Sequence, residues 1–165
     1  RKRDNDEHKK LLELWKEEQR ATFEISNPVI NDLDKNTPEY SIVKFFEYIN
    51  DGDYGDPVTF LPGIFKNSRT KGNSAGFIKN CFSEFSNIII KKLVVNDCGS
   101  ARTKLNVKLN YFYQNSKYEY EDVVLVNYEV AGEVSNRLVS NGEWVIIALG
   151  QLSDRMKNEG EKENL

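Results

Sequence analysis

From residue 103 to 114 the chain alternates: Leu105, Val107, Leu109, Tyr111 and Tyr113 fall on one parity, Lys104, Asn106, Lys108 and Asn110 on the other. A two-residue period belongs to a strand with one covered and one wet face. Asn115-Ser116 interrupts the pattern, and residues 117–130 resume it. Tyr118, Tyr120, Val124, Val126, Tyr128 and Val130 share one side and Val123 and Leu125 the other, which predicts a long mid-sheet strand. The β-branched run Ile88, Ile89, Ile90, Val94 and Val95 predicts a first strand of the same sheet over 87–96. Asn141-Gly142 is a favoured hairpin dipeptide, so a strand at 137–139 is expected to turn there into an apolar one at 144–149.

Upstream the period changes to that of helices. Thr37 reads as an N-cap, with Pro38 at the first helical position and Glu39 in the first turn, and Ile42, Val43, Phe45, Phe46 and Ile49 form one broad apolar face. The polar run 50–53, with Gly52, ends that helix, and Pro57, Pro62 and Gly63 limit 54–65 to short helical turns. Ser74 is expected to cap a further helix carrying Phe77, Ile78, Cys81, Phe82 and Phe85. Residues 23–34 read as a connector that includes a turn of helix. Residues 1–24 predict a charged helix, on which His8, Leu11, Leu12 and Trp15 share a side. The charged tail from Gln151 onward shows no apolar period and is expected to be disordered. The chain thus divides into an N-terminal charged helix with connector (1–36), a domain (37–150) and a tail (151–165).

Composition changes this picture mainly by exclusion. At 165 residues the chain suits one domain with a core of its own. With 23 basic and 26 acidic residues, net charge −3, it has no basic excess to drive nucleic-acid binding through counterion release. One histidine and two cysteines, Cys81 and Cys98, do not supply the ligand set of a structural zinc, so no metal and no cofactor is expected. The two cysteines read equally as one disulfide or as two free thiols. No stretch of the chain is apolar and long enough to span a membrane, so a membrane would be met only through a segment upstream of Arg1, whose Arg1-Lys2-Arg3 start suits a juxtamembrane position.

The stretch Ser41-Ile-Val-Lys-Phe-Phe-Glu-Tyr-Ile-Asn-Asp-Gly-Asp-Tyr54, the helix around Phe77–Phe85, the Val/Tyr strand and the closing Gly142-Glu143-Trp144-Val145-Ile146 carry a likeness. Over about residues 37–150 the chain resembles the nuclear-transport-factor-two-like superfamily. That resemblance implies an α+β fold: a cone-shaped roll in which a curved antiparallel sheet of four or more strands packs helices on its concave face, with the N-terminal charged helix added. Enzymes of that superfamily place an Asp or His with a Tyr inside the cone. The only histidine here, His8, lies outside the resembling region, leaving Asp53, Asp97 or Asp122 with Tyr111, Tyr113 or Tyr128 for any acid–base chemistry. Each of these carboxylates also has an ordinary place in a turn or on an amphipathic strand.

The branch of the superfamily that fits best is non-catalytic. Scaffold domains of bacterial type IV secretion and conjugation machines resemble this layout, with a membrane span before a charged helix. The resemblance implies an assembly domain on the extracytoplasmic face of a cell membrane, with the cytoplasm as the alternative, working through protein partners or homo-oligomers. Trp15, Tyr113, Tyr118 and Tyr120 are the candidate interaction residues. A small apolar ligand held by Phe45, Phe82, Tyr111 and Trp144 is the competing expectation, and a carboxylate-based isomerase or dehydratase the third.

Overall fold

The computed structural model describes residues 22–66, 72–97, 102–129, 132–134, 137–140 and 143–163. The fold is α+β, a curved, open, antiparallel sheet of six strands with three helices. Strand β1 (Phe23–Ser26) leads through a 3-10 turn at Ile30–Asp32 to helix α1 (Pro38–Asn50), and a second 3-10 turn (Asp56–Phe60) precedes helix α2 (Ser74–Phe82). Strands β2 (Phe85–Asp97), β3 (Arg102–Tyr113) and β4 (Ser116–Glu129) form the centre of the sheet. A separate two-stranded pair, β5 (Gly132–Val134) and β6 (Arg137–Ser140), follows, then β7 (Glu143–Ile146), helix α3 (Leu149–Glu159) and the short β8 (Glu161–Lys162). The sheet order is β1-β2-β3-β4-β7, with β8 on the other end of β4.

Register builds the core. Leu93 stands opposite Val107, Val95 opposite Leu105, Leu105 opposite Val124 and Val126 opposite Ile146, so one face of β2, β3, β4 and β7 presents a continuous apolar row. Ile42, Phe45, Phe46 and Ile49 of α1, Ile78 and Phe82 of α2, and Leu149, Leu152 and Met156 of α3 close over that face. The α1 start follows the sequence signals: the Thr37 hydroxyl accepts from the Tyr40 N–H, and Pro38 opens the helix. Gly52, at φ +75°, takes the chain away at its end.

Several expectations shift. The α2 cap is Asn73, which accepts from the Gly76 N–H, while Ser74 is the first helical residue and buried. The β3–β4 turn is Gln114-Asn115, both left-handed, which suits the twist of a two-residue hairpin; the break therefore comes one residue before Asn115-Ser116. The connector contains β1, which pairs with β2 from Phe23 opposite Val95 to Ser26 opposite Lys92. The strand at 137–140 does not pair with the apolar strand after it. Its partner is β5, reached through only two intervening residues, whereas β7 joins β4.

The tail expected to be disordered is α3 instead. Leu149, Leu152, Ser153 and Met156 are buried along one side of it. Assigning Leu149 to the preceding strand removes the first member of that series, and the period then disappears into charged residues. The strand in fact ends at Ile146, and Ala148, left-handed at φ +62°, turns the chain into the helix. The predicted charged helix with Trp15 lies outside the described residues.

At the C-terminal end of α1, Asn50 does the work of a neighbouring strand. Its side-chain amide donates to the Ile88 carbonyl at 2.9 Å and its carbonyl accepts from the Ile88 N–H at 2.8 Å, satisfying a stretch of β2 that β1 does not reach. Asn50→Leu, which keeps the bulk and neither bond, is expected to cost about 2 kcal/mol, the penalty for two main-chain groups losing partners. Thermal unfolding checks it; a melting point equal to that of the parent would show that water replaces the amide without loss.

Candidate functional site

An apolar surface cavity of about 360 Å3 opens where the breaker stretch before α2 meets the turn from β7 into α3. Leu61, Pro62, Ile64, Phe65 and Phe77 form one wall and residues 146–151 the other. Its shape follows from local chemistry. Pro62 opens a helical turn over 63–66, and the Gly63 N–H donates to both carboxylate oxygens of Glu129 (3.0 and 3.1 Å), tying the turn to the end of β4. The Ile147 N–H bonds the Leu125 carbonyl one residue beyond β7. Gly150 lies against Phe77: a β-carbon there would stand 3.4 Å from the ring. Phe77 in turn meets Phe65 edge to face, centroids 4.7 Å apart. Ile64 is 81% exposed at the rim. None of the described lining residues is titratable, and the walls they form suit an apolar side chain or small apolar ligand.

The tyrosines and carboxylates assemble elsewhere, beneath α3. The Tyr111 hydroxyl donates to the Met156 carbonyl at 2.5 Å, and burial holds its pKa above the usual tyrosine value. The Tyr120 hydroxyl donates to Glu159 at 3.1 Å, and burial first, then the Asp122 charge, push its pKa up to about 12. Asp122 lies on the core-facing parity of β4; one of its oxygens accepts from the Val123 N–H and the other meets Arg155 Nε at 2.6 Å. These contacts fasten α3 to the sheet. Both oxygens of Asp122 are engaged, and the tyrosines beside it serve α3. Asp53 accepts from the Gly55 and Asp56 N–H groups in a local turn, the Asp56 N–H chiefly holding its pKa below the usual value, while hydrogen bonding to Asp53 raises that of Asp56. Asp97 ends β2 opposite Thr103.

The residues expected to line a ligand site do not converge on this cavity. Phe45 and Phe82 are fully buried against each other, centroids 5.4 Å apart, and Tyr111 is buried below α3. Trp144 is half-buried, donates to the Asn36 carbonyl at 2.9 Å and meets Tyr128 edge to face. Of the interaction candidates, Tyr113 and Tyr118 are half-buried and touch each other, whereas Tyr120 is buried and is not a surface residue. Trp15 lies outside the described residues. Cys81 is half-buried and unbonded, its thiol pushed up by burial; Cys98 lies outside the described residues.

Sequence reasoning passed over Ile64, Phe65 and Phe77 as a group. The available signal was the apolar pair Ile64-Phe65 standing directly after Pro62-Gly63 in a polar, breaker-rich stretch. Among the described residues no cluster of His, Cys, Asp and Glu has the makings of a metal site, and no helix is long and apolar enough to cross a membrane. Comparison with protein-family models, curated proteins and solved structures finds no match.

Proposed function

We propose that this chain is a non-catalytic assembly module of the nuclear-transport-factor-two-like kind, its sheet and helices forming a cone-shaped roll behind an N-terminal charged helix. In this reading it stands on the extracytoplasmic face of a bacterial cell membrane, held by a segment upstream, as a scaffold domain of a conjugative or type IV secretion complex. One observation carries the assembly reading: the space between sheet and helices, where enzymes of that superfamily keep their catalytic groups, is occupied by Phe45, Phe46, Phe82, Phe85 and Tyr111 in mutual ring contact. One apolar surface that remains open lies outside, at Ile64 and its cavity, which suits a partner's side chain.

The same cavity favours a second reading, a small apolar ligand. Native mass spectrometry of the purified chain separates the two. Under the assembly reading the bare chain mass is expected, with added mass only in whole-protein increments. A constant excess of a few hundred daltons that Ile64→Asp abolishes would overturn it in favour of ligand capture.

A further inference from the structure

At the turn between β3 and β4, the far end of β4 from Glu129 and the Ile64 cavity, the surface is built differently. A pocket of about 610 Å3 lies there, within the range of about 300–1,000 Å3 that small-molecule sites occupy. Glu84, Ser86 and Asn87 line it from the start of β2, Phe112 and Tyr113 from the end of β3, and Gln114 and Asn115 from the turn. Ser86 stands opposite Phe112, and their neighbours Phe85 and Tyr111 are buried, so both belong to the outer face of the sheet, away from the helices. The Phe112 side chain is 38% exposed, and Glu84, Ser86, Asn87, Gln114 and Asn115 are exposed as well.

Three of these residues hold left-handed backbone: Asn87 at φ +48°, Gln114 at φ +51° and Asn115 at φ +64°. Asn87 and Ile88 together oppose Tyr111 alone, a bulge whose left-handed position is commonly glycine, and a two-residue turn with both residues left-handed prefers Asn-Gly. Glycine would adopt all three conformations without strain, and glutamine, unlike asparagine, is not a residue that favours this region. What the sequence keeps at all three is a carboxamide. Neither these carboxamides nor the Ser86 hydroxyl has a hydrogen-bond partner among the described residues, so local bracing of the backbone does not account for them.

Charge narrows what such a pocket takes. Its one charged lining residue among those described is Glu84; Lys157 pairs with Glu84 at 3.6 Å without lining the pocket, and Lys117, opposite Phe112, pairs with Glu163 at 3.6 Å. A phosphate or carboxylate would find no cation in the lining. A neutral molecule with many hydroxyls and one apolar face fits better. Each carboxamide offers donors and an acceptor to neighbouring hydroxyls, and the slightly positive C–H face of a sugar ring is drawn to the negative face of an aromatic ring. We propose that this pocket binds a neutral saccharide, with Phe112 as the stacking platform and Asn87, Gln114, Asn115 and Glu84 holding hydroxyls. The Tyr113 ring, packed against Phe85 and Tyr118, steadies the end of β3 beside it. The site is independent of the assembly reading.

The test is an NMR titration of the isotope-labelled chain, followed through the side-chain amide signals of Asn87, Gln114 and Asn115, with maltotriose, cellotriose and tri-N-acetylchitotriose as probes. At least one of these sugars is expected to move those signals saturably. Phe112→Ala is expected to weaken binding about tenfold through the lost ring, and Gln114→Gly about fivefold through the lost hydrogen-bonding group. Glycine suits the left-handed turn, so Gln114→Gly is expected to keep the parent's melting temperature, and its weaker binding then owes nothing to unfolding. Ile64→Asp is expected to leave the titration unchanged. Signals that none of the sugars moves, or that move as readily in Phe112→Ala and Gln114→Gly, would overturn the proposal. So would signals that answer to inorganic phosphate and not to the sugars. Co-sedimentation with insoluble starch, cellulose or chitin tells a polymer-borne saccharide from a free one, and the site is supported in either case. A captured mass that Ile64→Asp abolishes would overturn the assembly reading and leave this site untouched, so the two failures are distinguishable.

Discussion

Phe45→Ala is expected to lower the stability of the protein by about 3–5 kcal/mol, the usual range for removing a phenyl ring from a packed interior. Phe45 is fully buried, and its ring meets Phe46 at 5.3 Å, Phe82 at 5.4 Å and Phe60 at 6.4 Å, each near perpendicular. Those neighbours come from α1 itself, from α2 and from the 3-10 turn before it. They cannot all move inward together, because Phe46 and Phe82 also hold each other and Phe82 touches Phe85 as well. The cavity therefore persists, and its cost adds to the lost transfer energy. Phe45→Leu keeps most of the volume and is expected to lose less than half as much. Urea unfolding checks both, with a lower midpoint and an unchanged slope. The measurement also bears on function: a loss below about 1 kcal/mol would mean that the interior is loosely filled, as in a fold that keeps a chamber for ligand or chemistry.

How far the chain explains itself in advance depends on whether a pattern is complete within one element. β3 was legible because Leu105, Val107, Leu109 and Tyr111 are all buried and their neighbours are wet or half-covered, an alternation that survives folding unchanged. The α1 start was legible because Thr37, Pro38 and Glu39 act locally. What failed was whatever depends on a partner. β1 is four residues of ordinary polarity that become a strand only because β2 offers them an edge. Residues 137–140 found β5 and not β7, a choice between pairings that no single segment encodes. Tyr120 and Asp122 share a parity that the sequence displays, yet their burial comes from α3, which is itself hidden among charged residues. The cavity at Ile64 was illegible for the same reason: its two walls lie far apart in sequence and meet only in the folded chain, through the Gly63–Glu129 bonds, the Gly150–Phe77 contact and the left-handed turn at Ala148.

α3 also gives the sharpest expectation for a single methyl group. Gly160, just past the helix end, has ordinary backbone angles, φ −60° and ψ 139°, so its need for glycine is one of space and not of conformation. A β-carbon at this position would overlap the Tyr111 hydroxyl and stand 2.8 Å from the Met156 carbonyl, the two groups that hydrogen-bond each other. Gly160→Ala must therefore displace either the ring or the last turn of α3. The expected cost is about 3 kcal/mol, overpacking together with the loss of a buried hydrogen bond. Tyr111→Phe alone removes only the bond and leaves the Met156 carbonyl unpaired, about 1–2 kcal/mol. In the Tyr111→Phe background Gly160→Ala meets no hydroxyl, and its added cost is expected to fall by about 1 kcal/mol or more, a coupling that a double-mutant cycle reads directly. Strict additivity would show that the hydroxyl and residue 160 do not meet. Because Leu149, Gly150 and Gln151 at the start of the same helix form part of one wall of the Ile64 cavity, a loosened α3 should also blunt whatever binds there. An Ile64-dependent interaction that survives Gly160→Ala at full strength would place the determinant on the 61–65 wall alone.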